Sequence, residues 1–190
     1  MRSLLESSDI QKQIYRIAVE DYQAFGAAGF LNEDVELLQG VIVRKMPKSP
    51  LHEYLSQVLR DLLISHVPPG FVVRQESPLT FSDSEPEPDI SVVAGKPADW
   101  LAEHPHTAAL VAEIAITSIA VDEKKAGIYA EAGIPEYWVI RPEAREWDVY
   151  RDPGAEGYRT RVTLRDGDTL RAVALPGIEF AVSDVFPPRA

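Results

Sequence analysis

Apolar positions recur at helical spacing in three stretches of this 190-residue chain and run in short blocks between them. From Asp9 to Ala28, Ile14, Ile17, Ala18 and Tyr22 fall on one helical face, with Asp9 as a candidate N-cap and Gly26 and Gly29 at the end. Leu55, Val58, Leu59, Leu62 and Leu63 make Leu51 to Val67 a second amphipathic helix, stopped by Pro68-Pro69-Gly70. A third helix is predicted from about Ile119 to Ala132, capped by Thr117 or Ser118 and closed by Gly133 and Pro135. Between the first two helices, Val35–Leu38 and Val41–Val43 flank Gln39-Gly40 as a strand–turn–strand hairpin. Phe71–Arg74, Pro78–Phe81, Asp89–Val93 and Ala109–Ile114 read as four short strands, and residues 95–107 as a surface loop or short helix. Glu136–Ile140 and Trp147–Tyr150 are further strands, after which short strands alternate with Gly-containing turns. No repeat or long linker divides the chain, so residues 1–190 are expected to form one domain.

Composition narrows the chemistry. The chain has no cysteine, which removes disulfides, thiol nucleophiles and cysteine zinc sites. Met1 to Ile10 lacks a signal-peptide pattern, and no apolar run approaches the ~18 residues of a membrane span, so a cytoplasmic location is expected. The net charge is -11, with most of the acidic excess before residue 141. Such a surface disfavours tight, sequence-independent binding to nucleic acid, which depends on neutralising phosphates.

Two carboxylates stand out. Asp89 follows the stiff lead-in Asp83-Ser84-Glu85-Pro86-Glu87-Pro88, and Glu113 ends the apolar run from Ala108. An acid beside a core strand is costly unless a cation or hydrogen bonds compensate it. Two of them on neighbouring strands supply the one or two carboxylates that magnesium takes, with the Ile114 carbonyl as a further oxygen. In the helix that follows, Asp122, Lys125, Ala126 and Tyr129 share one face, which turns Lys125 inward and Lys124 roughly 100° away, into solvent. Taken singly, each residue has a plainer reading. Asp89 suits a strand start, Glu113 a strand end, Lys125 a snorkelling surface lysine, and Glu36 the exposed position of an alternating strand. His52, near the start of the second helix, is expected at the surface, and His66, His104 and His106 are scattered. Tyr137 and Trp138 invite nucleobase stacking, but strand alternation is expected to bury one of them in the core or a subunit contact, with Trp147 and Tyr150 extending that surface. This aromatic content suggests that the β-rich C-terminal part contributes to a homodimer.

Pro88-Asp89, Glu113 after its strand and the run from Asp122 to Ile140, with Tyr129 to Val139 the most specific block, resemble the bacterial family of putative restriction endonucleases within the PD-(D/E)XK phosphodiesterase superfamily. The hairpin Val35 to Ile42 and His52 match that family's opening pattern, and Gly167 to Leu170 and Leu175 to Ile178 its end. The resemblance spans about residues 20 to 186 and implies an α/β (α+β) fold, a central mixed sheet flanked by helices with the site at its edge. It implies that Asp89 and Glu113 bind magnesium or manganese, that Glu36 assists, and that Lys125 supplies positive charge to a reaction on DNA. The superfamily lysine stands two residues after the glutamate, where this chain has Ala115, so the cation is expected from the following helix. The leading expectation is a metal-dependent endonuclease. The alternatives are a non-catalytic DNA-binding or assembly module on the same fold and a hydrolase of small phosphodiesters.

Overall fold

The computed structural model describes residues 8–116 and 119–189. A six-stranded sheet, ordered β3-β4-β5-β6-β7-β8, organises them. Its strands are β3 (Phe71–Gln75), β4 (Ile90–Ala94), β5 (Leu110–Ile114), β6 (Glu136–Arg141), β7 (Glu146–Gly154) and β8 (Gly157–Arg165). Every neighbouring pair is antiparallel except β5 and β6, which run parallel and are joined by helix α4 (Ile119–Glu131). A parallel pair needs such a crossover, so α4 must lie over a sheet face. This is the mixed sheet flanked by helices that the resemblance implies.

Strand alternation divides the core in two. Leu110, Ala112 and Ile114 of β5 join Ile90, Val92, Trp138 and Ile140 against Leu55, Leu59 and Leu63 of α3 (Pro50–His66). The C-terminal ribbon, β9 (Thr169–Arg171) with β10 (Glu179–Ala181), closes the same face with Leu170, Ile178 and Phe180. The intervening residues Val111, Val139 and Tyr137 point the other way, onto Ala126 and Tyr129 of α4. Ser49 caps α3, accepting the His52 N–H at 3.3 Å, and Pro50 opens it, as suits a residue with no N–H to satisfy.

Three expectations change. The first helix is two pieces, α1 (Ser8–Gln11) and α2 (Val19–Ala27), with Asp9 inside the former rather than capping a long helix. The chain between them turns to the hairpin of β1 (Val35–Leu38) and β2 (Val41–Arg44): Ile17 N–H donates to Gly40 O at 2.9 Å and Arg16 to Gln39 O. Gly40 has a φ of +73°, and a Cβ there would lie 2.6 Å from Arg16 Cβ, so only glycine fits the approach. Pro78–Phe81 is not a sheet strand, since its backbone donors go to Pro86, Pro105 and Ser84 carbonyls. Tyr137 and Trp138 are both buried, because helices or ribbons cover both faces. Trp147 packs with Trp138 and Tyr150 with Tyr137. Thr117 and Ser118, the expected caps of α4, lie outside the described residues. Among the described residues, no helix is long and apolar enough to cross a membrane.

Candidate active site

The antiparallel register that sets Ile90 opposite Ala112 brings Asp89 beside Glu113, one step further along the pair. Asp89 N–H donates to Glu113 Oε2 at 3.2 Å, and Ile114 N–H donates to Asp89 Oδ2 at 2.8 Å. The helix face read from the sequence holds: Lys125, Ala126 and Tyr129 are buried, and Lys124 is exposed. Lys125 Nζ reaches Glu113 Oε1 at 3.1 Å and Glu36 Oε1 at 2.9 Å. The structure thus brings Glu36, Asp89, Glu113 and Lys125 together at a cleft of about 690 Å³.

Glu36 is buried, at 4% exposure, and not on a solvent face. Its other oxygen accepts the Glu87 N–H at 3.2 Å, so the lead-in before Asp89 also secures the hairpin. His52 corrects the surface expectation more sharply. It is 8% exposed, and its Nε2 lies 3.0 Å from Asp89 Oδ2. Two further residues escaped the sequence reading: Tyr129 OH donates to Glu113 Oε1 at 3.0 Å, and Lys48 Nζ stands 3.7 Å from Asp89 Oδ1. The helical face did contain Tyr129, but its apolar packing role hid the hydroxyl. The other histidines stay apart from this cluster: His66 binds the Leu62 carbonyl and His106 the Thr80 carbonyl.

Charge is unevenly matched here. Burial pushes the Glu113 carboxyl well above the usual glutamate range; Lys125 opposes this, while Asp89, Asp122 and Glu36 reinforce it. Burial works in the same upward direction on Asp89, but the His52 hydrogen bond and charge, the Ile114 N–H and Lys48 outweigh it and hold that carboxyl low. Lys125 loses hydration on burial, yet Glu113 and Glu36 more than restore its charge and raise it above an ordinary lysine. Burial, then Glu113, keeps the Tyr129 phenol protonated far above its usual range, so it retains the proton that it donates to Glu113. The resulting set has adjacent carboxylates of unequal proton affinity and a permanent ammonium.

Among the described residues, no group of three or more histidine, aspartate or glutamate side chains is arranged to hold a metal. Asp89 and Glu113 nevertheless match magnesium by donor type, two hard carboxylates in contact across one strand pair. Both Glu113 oxygens carry protein donors, whereas Asp89 Oδ1 meets only the distant Lys48 ammonium among the contacts just described. Ile114 also lines the cleft. Ala115, where the wider signature has lysine, is a buried residue packed under α4, and the ammonium beside Glu113 is that of Lys125.

A model of the Uma2 family, described as “Putative restriction endonuclease”, matches residues 19–183. A crystal structure of a putative nuclease belonging to DUF820 from Anabaena variabilis superposes with a TM-score of 0.72. It is 19% identical, and the match covers 90% of this chain and 97% of that one, a likeness of fold. No curated protein matches the chain.

Proposed function

We propose that this chain, which belongs to the Uma2 family, is a divalent-metal-dependent nuclease that hydrolyses DNA phosphodiester bonds at the cleft between the β1–β2 hairpin and the β4–β5 pair. The observation that carries the reading is the Asp89–Glu113 pair, buried side by side on adjacent chain segments, with one lysine shared between Glu113 and Glu36. A structural ion pair has no need of a third carboxylate, and the acid excess is what a cation would complete. Asp89 and Glu113 would hold magnesium or manganese, and such an ion activates a water and offsets charge on the phosphoryl group. Lys125 carries a positive charge that cannot be lost near neutral pH and stands in reach of the same space, suited to the negative charge that develops on a phosphate. Tyr129 and the Asp89 N–H fix the two oxygens of Glu113, so that its plane is set before any ligand arrives.

A second reading has its own observation. Lys125, Tyr129 and Asp89 N–H already occupy Glu113 without any metal, which also suits a fold kept as a DNA-binding or assembly module. Manganese titration by calorimetry on the wild type and Asp89→Ala, followed by plasmid nicking, separates the two. The nuclease reading expects binding and nicking that both vanish in the variant. Binding without nicking points to a small phosphodiester, and no binding assigns the carboxylates to structure.

A further inference from the structure

His52 is a buried group at the cleft that this chemistry leaves unused. It sits in the first turn of α3, and its buried Nδ1 has no hydrogen-bond partner among the described residues, while Nε2 faces Asp89. A side chain kept only to fill space would be apolar there, since a bare buried nitrogen is unfavourable and buried polar groups are otherwise satisfied. What distinguishes the imidazole is that, among the described residues, its polar contact is with Asp89. That contact falls on Oδ2, the oxygen that already accepts the Ile114 N–H at 2.8 Å. Among the described residues Oδ1 meets only Lys48 Nζ, at 3.7 Å, and that ammonium lies closer to Glu76, at 2.7 Å.

We infer that His52 is a positioning residue: it clamps Asp89 through Oδ2 and thereby presents Oδ1 to the cleft. One donor on a carboxylate oxygen leaves the group free to swing about that hydrogen bond. A second donor, arriving from a different element, fixes the plane. Here the first comes from β5 and the second from α3, so the orientation of Asp89 is set by how the helix seats on the sheet. Partners behind a metal ligand hold its geometry in this way and commonly change metal affinity by about 10–100-fold. The inference rests on the metal reading above, but the clamp itself is a statement about one side-chain orientation.

The test compares wild type, His52→Gln and His52→Leu by manganese calorimetry, thermal melting and crystal structures without metal. Glutamine can still donate to Asp89; leucine fills the space and cannot. The expected result is wild-type Asp89 orientation and affinity within about threefold in the glutamine variant. In the leucine variant Asp89 is turned or split between orientations, and affinity falls about tenfold or more, with melting unchanged or raised. A merely structural histidine would lower the melting temperature in the leucine variant and leave affinity untouched; an unmoved Asp89 with unchanged affinity overturns the clamp. If wild type takes up no manganese, the metal reading falls, and the Asp89 orientation in the leucine crystal alone upholds or overturns the inference. Should leucine prevent folding, His52→Asn, which keeps polarity but not reach, replaces it.

Discussion

The sheet buries two sets of carboxylates, and they are compensated in opposite ways. In the C-terminal half, Glu136 on β6 accepts from Arg151 Nε and Nη2 at 3.1 and 2.9 Å and from Trp138 Nε1 at 3.0 Å. Its second oxygen takes the Val173 and Ala174 N–H groups, which ties the chain after β9 to the sheet. Asp148 on β7 lies between Arg141 and Arg161 and accepts from Thr163. At the cleft, by contrast, one lysine serves two glutamates, and Asp89 leans on a histidine. An arginine fork saturates a carboxylate with directed donors, whereas an ammonium is a point charge that leaves lone pairs uncommitted. Burial of acid is therefore no sign of a site by itself. The sign is acid that the fold compensates incompletely, beside open space.

The largest test of this contrast is Glu136→Ala. It strips Arg151 and two backbone donors of their acceptor, and breaking such a buried pair is expected to cost about 3–5 kcal/mol, read by urea unfolding. A loss below about 1 kcal/mol would mean that the arginine set is no more structural than the cleft. Next comes Tyr129→Phe, which removes one donor from Glu113. It is expected to lower stability by about 1 kcal/mol and to weaken manganese binding, whereas a Phe variant with unaltered affinity would detach the phenol from the site.

Glu113→Gln reverses the usual order of effects. Because burial and the surrounding carboxylates already favour the protonated acid, the neutral amide is expected to change stability by less than about 1 kcal/mol while abolishing manganese binding. Calorimetry and denaturation on the same sample read both, and a loss matching that of Glu136→Ala would erase the comparison. The smallest effect is at Asp166, whose carboxyl the Arg145 and Arg189 hydrogen bonds hold below the ordinary aspartate range. A folded-state value lower than the unfolded one stabilises above the unfolded pKa and is lost as pH falls through the folded one. Wild type should thus melt slightly higher than Asp166→Asn at neutral pH, and the gap should close on acidification; a gap independent of pH would rule out this linkage.

Much of the cleft was legible in the chain because its parts are local patterns. Gln39-Gly40 marks the hairpin that carries Glu36, and both residues take positive φ there. Helical phase turned Lys125 inward and Lys124 outward, and the paired carboxylates announced themselves by standing beside core strands. What stayed hidden has a common cause. The helix expected from Asp9 breaks because Arg16 and Ile17 find partners on the hairpin turn, which local spacing does not register. Pro78–Phe81 has strand-like composition but spends its hydrogen bonds on loops. The burial of both Tyr137 and Trp138 depends on what covers each face of β6.

By itself, then, the sequence determined the second and third helices, the hairpin, most strands of the sheet and the acids with no business beside a core, since each follows from propensity and periodicity over a few residues. Only the tertiary structure decided which of those charges meet. Lys125 lies 89 residues from Glu36, and His52 lies 37 from Asp89. Their contacts exist because α4 crosses over the parallel β5–β6 pair and α3 seats on the opposite face. Side chains so far apart along the chain share no periodicity, and the direction of a hydrogen bond is fixed only when both of its ends are packed.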